Sequence, residues 1–431
     1  MRTMKDSGIE WIGQIPQEWR MERLRYHAEW NPTTELPSLT DEDNVSFIPM
    51  DHLKTGYHLQ SIVSYSKVKK GYVCFADGDV LMAKVTPCLE NGNLAIADNL
   101  INGVGYGSTE INVIRCKSIN NRFLFYLLQC PLYIEKATYS MYGVAGLKRL
   151  DPEFIPNSYF PFPPIEEQER IVSFVDKKCS EIDTLIAAKE KTNALLKERR
   201  QSIIYEAVTK GLNPDVPMKD SGIEWIGQIP EHWGVGKLGY FIEAFNGDRS
   251  SNYPSGNDIQ DSGVPFLTSS NLERDVLDMS NSKYISEEKY KSMSGLKMEL
   301  DDIIYCLRGS VGKCAINKTE TCGTVASSLM GIRCKKMIPD YLLFLLKSSV
   351  IETQNALFMN GTCAANLSAE NVCGYLVPIP NETEQRTIAE YLQGRCSEMD
   401  ELISANEATI QKLKEYRQSV IYEAVTGKIE I

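Results

Sequence analysis

Residues 4–19, MKDSGIEWIGQIPQEW, are written again at 218–233 as MKDSGIEWIGQIPEHW, with only Gln17-Glu18 exchanged for Glu231-His232. The offset is 214 residues (218 − 4), about half of the 431-residue chain. A second segment, KERRQSIIYEAVT at 197–209, returns as KEYRQSVIYEAVT at 414–426. Between these ends the copies have drifted but stay aligned. Ile114-Arg115-Cys116-Lys117 precedes the apolar run 121–129, and Ile332-Arg333-Cys334-Lys335 precedes the run 340–347. Repetition on this scale determines architecture before any local reading, because each copy carries the same elements in the same order. Each half opens on the copied start, continues through a variable globular region, and closes on a long polar-apolar segment.

The closing segments read as helices. In the first copy Pro163-Pro164 is followed by glutamates, and both suit a helix start: proline fits the first turn and carboxylates favour the positive end of the dipole. From Glu166 to about Lys210, apolar residues recur at Ile171, Val175, Ile182, Leu185, Ile186, Leu196 and Ile203. Val175, Ile182, Leu196 and Ile203 share one heptad position, which Lys189 interrupts. Gly211 and Pro214 stop this helix. The second copy starts at Asn381 with Glu384 in capping-box spacing and runs through Leu392, Met399, Leu402, Leu413 and Val420 to Gly427, with Asn406 interrupting the stripe. Helices of about 40–45 residues span ~60–68 Å at 1.5 Å per residue. A narrow apolar stripe of that length needs a partner stripe, so the two helices are expected to pair antiparallel. The globular parts read as short strands and loops, including 71–75, 79–83 and 111–115. The fold class expected is therefore α/β, with mixed α+β domains and two long helices forming an antiparallel coiled coil in a tandem pseudo-two-fold repeat.

Autonomous catalysis is not indicated. Gly309-Ser310-Val311-Gly312-Lys313-Cys314 has glycines too close for a phosphate loop and cysteine where a magnesium-binding hydroxyl belongs. The glycines of 103–107 read as a flexible loop. Asn31-Pro32-Thr33-Thr34 falls short of an adenine-methyltransferase motif. Twelve cysteines are scattered without a CxxC pair, and four histidines complete no zinc spacing. Cys130, Cys306 and Cys334 read as reduced core thiols. No stretch has the length and apolarity of a membrane span or a signal core, so a cytoplasmic location is expected. A net charge of −11 argues against a general nucleic-acid coat, but not against sequence-specific contact through locally placed cations.

Three matched pairs of loops carry the side chains suited to such contact. After the strand at 79–81 comes MAKVTPCLENGN, with Lys84, Thr86 and Asn91; after the strand at 302–304 comes YCLRGSVGK, with Arg308, Ser310 and Lys313. In both copies a strand led by aspartate is expected to deliver one strong cation, Lys84 or Arg308, into a turn-rich loop. The second pair is Ser108-Thr109 against Ser327-Ser328. The third is residues 143–149, GVAGLKR, with Lys148 and Arg149, against 361–367, GTCAANL, with Asn366. Arginine and lysine reach guanine edges or phosphates, and asparagine can bond adenine in two places. Each of these residues also admits a plain role in charge neutralisation, a hydroxyl network or a loop. The tryptophans of the repeated start, Trp11, Trp19, Trp225 and Trp233, read as structural, because a recognition element would differ between the copies.

The paired WIGQIP…W starts and paired EQ…EAVT helices together resemble the specificity subunit of type I restriction-modification enzymes, over essentially the whole chain. The resemblance implies recognition domains at 1–160 and 214–378 and helical spacers at 161–213 and 379–431. It implies a non-catalytic subunit that binds a bipartite, asymmetric double-stranded DNA site, one half per recognition domain. Implied partners are two adenine-methyltransferase subunits and motor-nuclease subunits, which would hold S-adenosylmethionine, ATP and Mg, with no cofactor on this chain. Tyr205, Glu206, Tyr422 and Glu423, in the segment written twice, are the docking candidates; the tyrosines could equally just pack the helix ends. A rival reading from the same repeat is a scaffold bridging two protein partners without touching DNA.

Overall fold

The computed structural model describes every residue except 1, 36, 145, 249–252, 281 and 360–365. It divides into two units, one of Met1–Glu190 with Glu407–Ile431 and one of Lys191–Asn406. Both divisions fall inside the long helices, Ile165–Lys210 and Glu382–Val425.

In the first unit an antiparallel sheet runs in the order Ala28–Trp30, Ile111–Cys116, Val80–Ala83, Leu94–Ile96. Successive side chains of a strand point to opposite faces, and here both faces are buried. Val80 and Met82 join a core with Phe123, Leu127 and Ile171, whereas Leu81 and Ala83 join one with Ile48 and Phe75. The first core lies against the helices Asn121–Leu128 and Pro131–Tyr139. The second faces a sheet ordered Ser61–Ser64, Asn44–Ile48, Val104–Gly107, Val73–Ala76, whose central pair is parallel. The glycine-rich 103–107 is thus not a flexible loop: Val104–Gly107 is a buried strand. A Cβ on Gly105 would lie 2.4 Å from the Phe75 ring and one on Gly107 2.9 Å from the Ile48 carbonyl. Those glycines allow close packing of strands.

The second unit repeats the first sheet as Ile242–Asn246, Leu329–Cys334, Ile303–Cys306, Cys314–Ile316. Ile303 and Tyr305 face the helix-side core, with Leu342 and Leu346 of the helix Pro339–Leu346; Ile304 and Cys306 face the other. Its second sheet has three strands, Lys283–Ile285, Val264–Leu267 and Thr324–Val325. Cys130 and Cys306 are buried and Cys334 is half-buried, and none of the described cysteines is paired. Burial pushes the Cys130 and Cys334 thiols up to about 12.

One buried ion pair recurs in each unit. Asp79 leads its strand and accepts Arg115 Nε at 2.8 Å and Nη2 at 2.7 Å. Asp302 accepts Arg333 Nε and Nη2, both at 2.8 Å. The two carboxylates are almost wholly buried, and each also takes a backbone N–H, from Ala76 and Glu299 respectively. The arginine of the repeated Ile-Arg-Cys-Lys step is therefore structural.

Inside each unit the two helix segments run antiparallel. In the first, Asp183 meets Arg417 at 3.0 Å, and Ile171, Val172, Val175 and Cys179 share a core with Ile421, Ala424 and Val425. In the second, Asp400 meets Arg200 at 3.3 Å, and Asn406 Nδ2 donates to Asn193 Oδ1 at 2.8 Å. Both ion pairs are one pair written twice, at an offset of 217 (417 − 200 and 400 − 183). The stripe residues Val175, Ile182, Ile203, Leu392, Met399 and Val420 are buried, while Leu185 and Leu402 are exposed.

The repeated ends are locked to the helices by polar contacts. Trp19 Nε1 donates to Glu167 at 3.1 Å and Trp233 Nε1 to Glu384 at 3.0 Å. The neighbouring Gln168 accepts Asn120 N–H and donates to Pro163 O; Gln385 does the same with Ile338 and Pro380. Asn381 and Glu384 form the expected reciprocal cap, at 3.4 and 3.0 Å. Trp11 packs on Tyr133 and Phe160, and Trp225 packs against the core of its own unit.

Removing one partner from a buried ion pair strands the other charge, which costs about 3–5 kcal/mol. Asp79→Ala is expected to destabilise the first unit at the lower end of that range, because Arg115 keeps some exposure. Urea unfolding measures it; a loss below about 1 kcal/mol, the size of a surface pair, refutes the buried role.

Candidate nucleic-acid interface

In the first unit three stretches far apart in sequence meet at the end of the strand Val80–Ala83. Lys84 N–H donates to Glu110 O at 3.0 Å, and Leu150 N–H donates to Lys84 O at 2.7 Å. Val85 forms a bridge with Arg149. The Thr86 hydroxyl donates to Gly146 O at 2.8 Å and accepts from Lys148 N–H at 3.0 Å. Thr86 thereby fastens a two-stranded ribbon, Tyr142–Val144 with Leu147–Arg149, to the loop. Gly143 is required there: its φ is +147° and a Cβ would lie 2.3 Å from Leu147 O.

Side chains along this rim are polar and largely open. Lys148 and Thr109 are exposed and Lys84 is half-buried; among the described residues, neither ammonium has an ion-pair partner. The Ser108 hydroxyl accepts Glu110 N–H at 3.2 Å, a local turn contact. Arg149 is held by Glu110 through Nε at 3.2 Å and Nη2 at 2.8 Å. That carboxylate raises the arginine pKa above its ordinary value, so the guanidinium stays charged. Asn91 is placed differently, lining a groove of about 560 Å³ with Thr55, Gln129 and Gln418. No described hydrogen bond ties its side chain to the cluster.

The second unit builds the same junction from other residues. Leu307 N–H donates to Ser328 O at 2.8 Å and Leu367 N–H to Leu307 O at 2.9 Å. Arg308 forms a bridge with Asn366, and its Nε donates to Asn366 Oδ1 at 3.1 Å. Lys313 Nζ pairs with Glu273 at 2.7 Å, and Ser310 accepts Lys313 N–H through its carbonyl. Ser310 is exposed and Ser327 and Ser328 half-buried. Residues 361–365 of the third loop lie outside the described residues.

These bonds correct one expectation. Lys84 corresponds to Leu307, and Arg308 to Val85, so the two cations are not equivalents. Lys84 lies five residues after Asp79 (84 − 79) and Arg308 six after Asp302 (308 − 302), so matching the two by charge skips one residue. Sequence reading also passed over Glu110, whose signal was its place beside Ser108-Thr109.

Carboxylates sit on two of the rim cations, Glu110 on Arg149 and Glu273 on Lys313. Exposed pairs of this kind are worth at most about 1 kcal/mol, so they add little to stability.

The docking candidates are engaged at the helix ends. Tyr205 donates to Ile226 O at 3.1 Å, and Tyr422 to Trp11 O at 3.0 Å. Glu206 is exposed and Glu423 half-buried, each accepting a hydroxyl four residues earlier, Ser202 and Ser419. The tyrosine hydroxyls thus pin each helix end to a copied start segment.

The family model for the type I restriction modification DNA specificity domain matches residues 30–197 and 230–415. The chain belongs to that family. Among specificity subunits, it is 41% identical to that of the EcoAI type I restriction enzyme of Escherichia coli over 164 residues, 37% of this chain. The match spans only 28% of that relative's length. The MjaVIII specificity subunit of Methanocaldococcus jannaschii is 22% identical over 428 residues, 97% of this chain and 94% of that one. A solved chain from a study of type I restriction-modification assembly shares the fold, with TM-score 0.73, 17% identity and coverage of 96% and 99%. The HsdS subunit from Thermoanaerobacter tengcongensis follows at TM-score 0.52 and 18% identity, over 96% of this chain and 98% of that one. For this specificity chain, no helix among the described residues is long and apolar enough to cross a membrane, and no described cluster of side chains could hold a metal ion.

Thr86→Val keeps shape but removes the hydroxyl that fastens the ribbon. The Lys148 amide is expected to exchange about fivefold faster, as one hydrogen bond is worth about 1 kcal/mol. An unchanged exchange rate refutes the fastening role.

Proposed function

We propose that this specificity subunit reads a bipartite, asymmetric duplex site, one half through each recognition domain, with domains at 1–160 and 214–378 and spacers at 161–213 and 379–431. The observation that supports it most is the junction in each unit, where Lys84–Thr86, Ser108–Glu110 and Lys148–Arg149, or Arg308–Lys313, Ser327–Ser328 and Asn366, cluster on a repeated scaffold. The scaffold residues are alike in both copies and the rim residues differ. That is what two different DNA words read by one kind of domain require. Asn91 belongs to this proposal only if DNA also reaches the neighbouring groove.

The segments written alike serve what is common to both halves. Two methyltransferase subunits would dock on the repeated surface around Glu206 and Glu423. Adenine methylation and DNA cleavage would then be done by partner subunits holding S-adenosylmethionine, ATP and Mg, with this chain choosing the sequence and binding no cofactor itself.

Replacing residues 20–160 by the corresponding domain of another family member is expected to change one half of the methylated word and leave the other intact. Sequencing adenine methylation in a host expressing the complex measures it, and a change in both halves contradicts independent reading. Arg308→Ala is expected to weaken specific binding by about 1–3 kcal/mol if it reads a base edge. A uniform loss with a shallower salt dependence would assign it to phosphate instead. Unchanged binding by a folded variant removes Arg308 from the interface.

A further inference from the structure

We infer that Arg149 and Arg308 are the guanine-reading residues of the two units, each aimed by a tether on its side-on edge, and that Glu110 and Asn366 are positioning residues. This rests on the DNA-reading role proposed above. The bridge Val85–Arg149 in the first unit corresponds to Arg308–Asn366 in the second, because Lys84 and Leu307 make matching bonds to Leu150 and Leu367. At this one bridge each unit carries an arginine, but on opposite strands of it. Neither the loop lengths nor the neighbouring residues are alike, so the shared feature is the arginine itself.

The tethers use one edge of each guanidinium. Glu110 takes Nε and Nη2 of Arg149; Asn366 takes Nε of Arg308. A guanidinium has five N–H donors in a rigid plane. With the side-on edge engaged, the end-on edge, Nη1 with the outer N–H of Nη2, remains for a second ligand. No described residue bonds Nη1 of either arginine. Two parallel donors on a fixed plane match guanine O6 and N7, the pair of acceptors that a G·C pair presents in the major groove. Phosphate could use the same edge. But a side chain that serves only as a charge needs no planar aiming, and both arginines are aimed.

The surroundings fit entry into a groove. Arg149 lies on an exposed two-stranded ribbon, a shape that the major groove admits. Tyr142 faces it across the ribbon and is 58% exposed; Leu147, on the same face, is 60% exposed. Apolar side chains left open beside a tethered arginine suit contact with a thymine methyl next to the guanine.

The test uses the full chain in complex with its methyltransferase. Adenine-methylation sequencing first defines the recognised word. Filter binding then compares duplexes in which each G·C pair of that word is replaced in turn. Arg149→Lys keeps the charge but loses the planar edge, so the preference for one G·C pair in one half-site is expected to fall about ten- to a hundredfold, with binding to unrelated duplexes retained. Arg308→Lys is expected to do so in the other half. Glu110→Gln keeps volume and is expected to weaken the same base pair as Arg149→Lys, by a smaller factor; it carries the test if the lysine variant does not fold. Preferences that all survive in folded variants, or a loss equal across every duplex, overturn the assignment. A wild-type complex that prefers no duplex refutes the specificity reading itself, whatever the arginines do.

Discussion

A helix of 46 residues whose apolar stripe is only two residues wide per heptad cannot bury that stripe against itself. Isolated helices in water are marginal, and most of their stability comes from packing of the apolar face. Within each unit the stripe of one helix therefore meets the stripe of the other. In the first unit Val175 and Cys179 lie in one core with Ile421 and Val425; in the second Leu392 and Cys396 lie in one with Ile203 and Ala207. The globular parts build onto these same cores, so strand, helix and copied start segment are stabilised together.

Polar groups at the margins of the cores decide the alignment. Apolar stripes alone tolerate sliding by a turn, whereas Arg417–Asp183 and Arg200–Asp400 tie single positions to each other. The Asn193–Asn406 amide pair acts in the same way, since sliding would leave a buried amide without its hydrogen-bond partner. At the helix starts, Glu167 and Glu384 accept tryptophan indoles, and Gln168 and Gln385 satisfy backbone groups of the adjoining turn. This gives Glu-Gln and the tryptophans Trp19 and Trp233 one shared role: each is a partner in a hydrogen bond at a helix start, and changing either partner leaves the other unsatisfied.

The DNA reading proposed for this acidic chain requires its positive charge to be concentrated and aimed. Asp79 and Asp302 engage the arginines of the repeated Ile-Arg-Cys-Lys step at the edge of the core, so these cations contribute to folding and not to the rim. What remains at the rim is a small set, Lys84, Lys148, Arg149, Arg308 and Lys313, with carboxylates close to two of them. Such a surface holds phosphate weakly on its own. Under the proposed function, complementary base contacts would then supply much of the affinity, which would favour specific over non-specific binding.

Much of this organisation is already in the amino-acid order. The repeat, the two long helices with their caps and stripes, the strands led by Asp79 and Asp302, and the structural tryptophans depend on local periodicity and on comparing one copy with the other. Both kinds of signal survive without coordinates. The partners of individual polar residues do not. Arg115 and Arg149 are the same residue type thirty-four positions apart in sequence (149 − 115), yet one is paired inside the core and the other tethered on the rim. The glycines of 103–107 have a loop's composition, but the ring of Phe75 and the backbone of Ile48 make them a buried strand. In each case the deciding neighbour lies far away in sequence, and only the folded chain brings it within bonding distance.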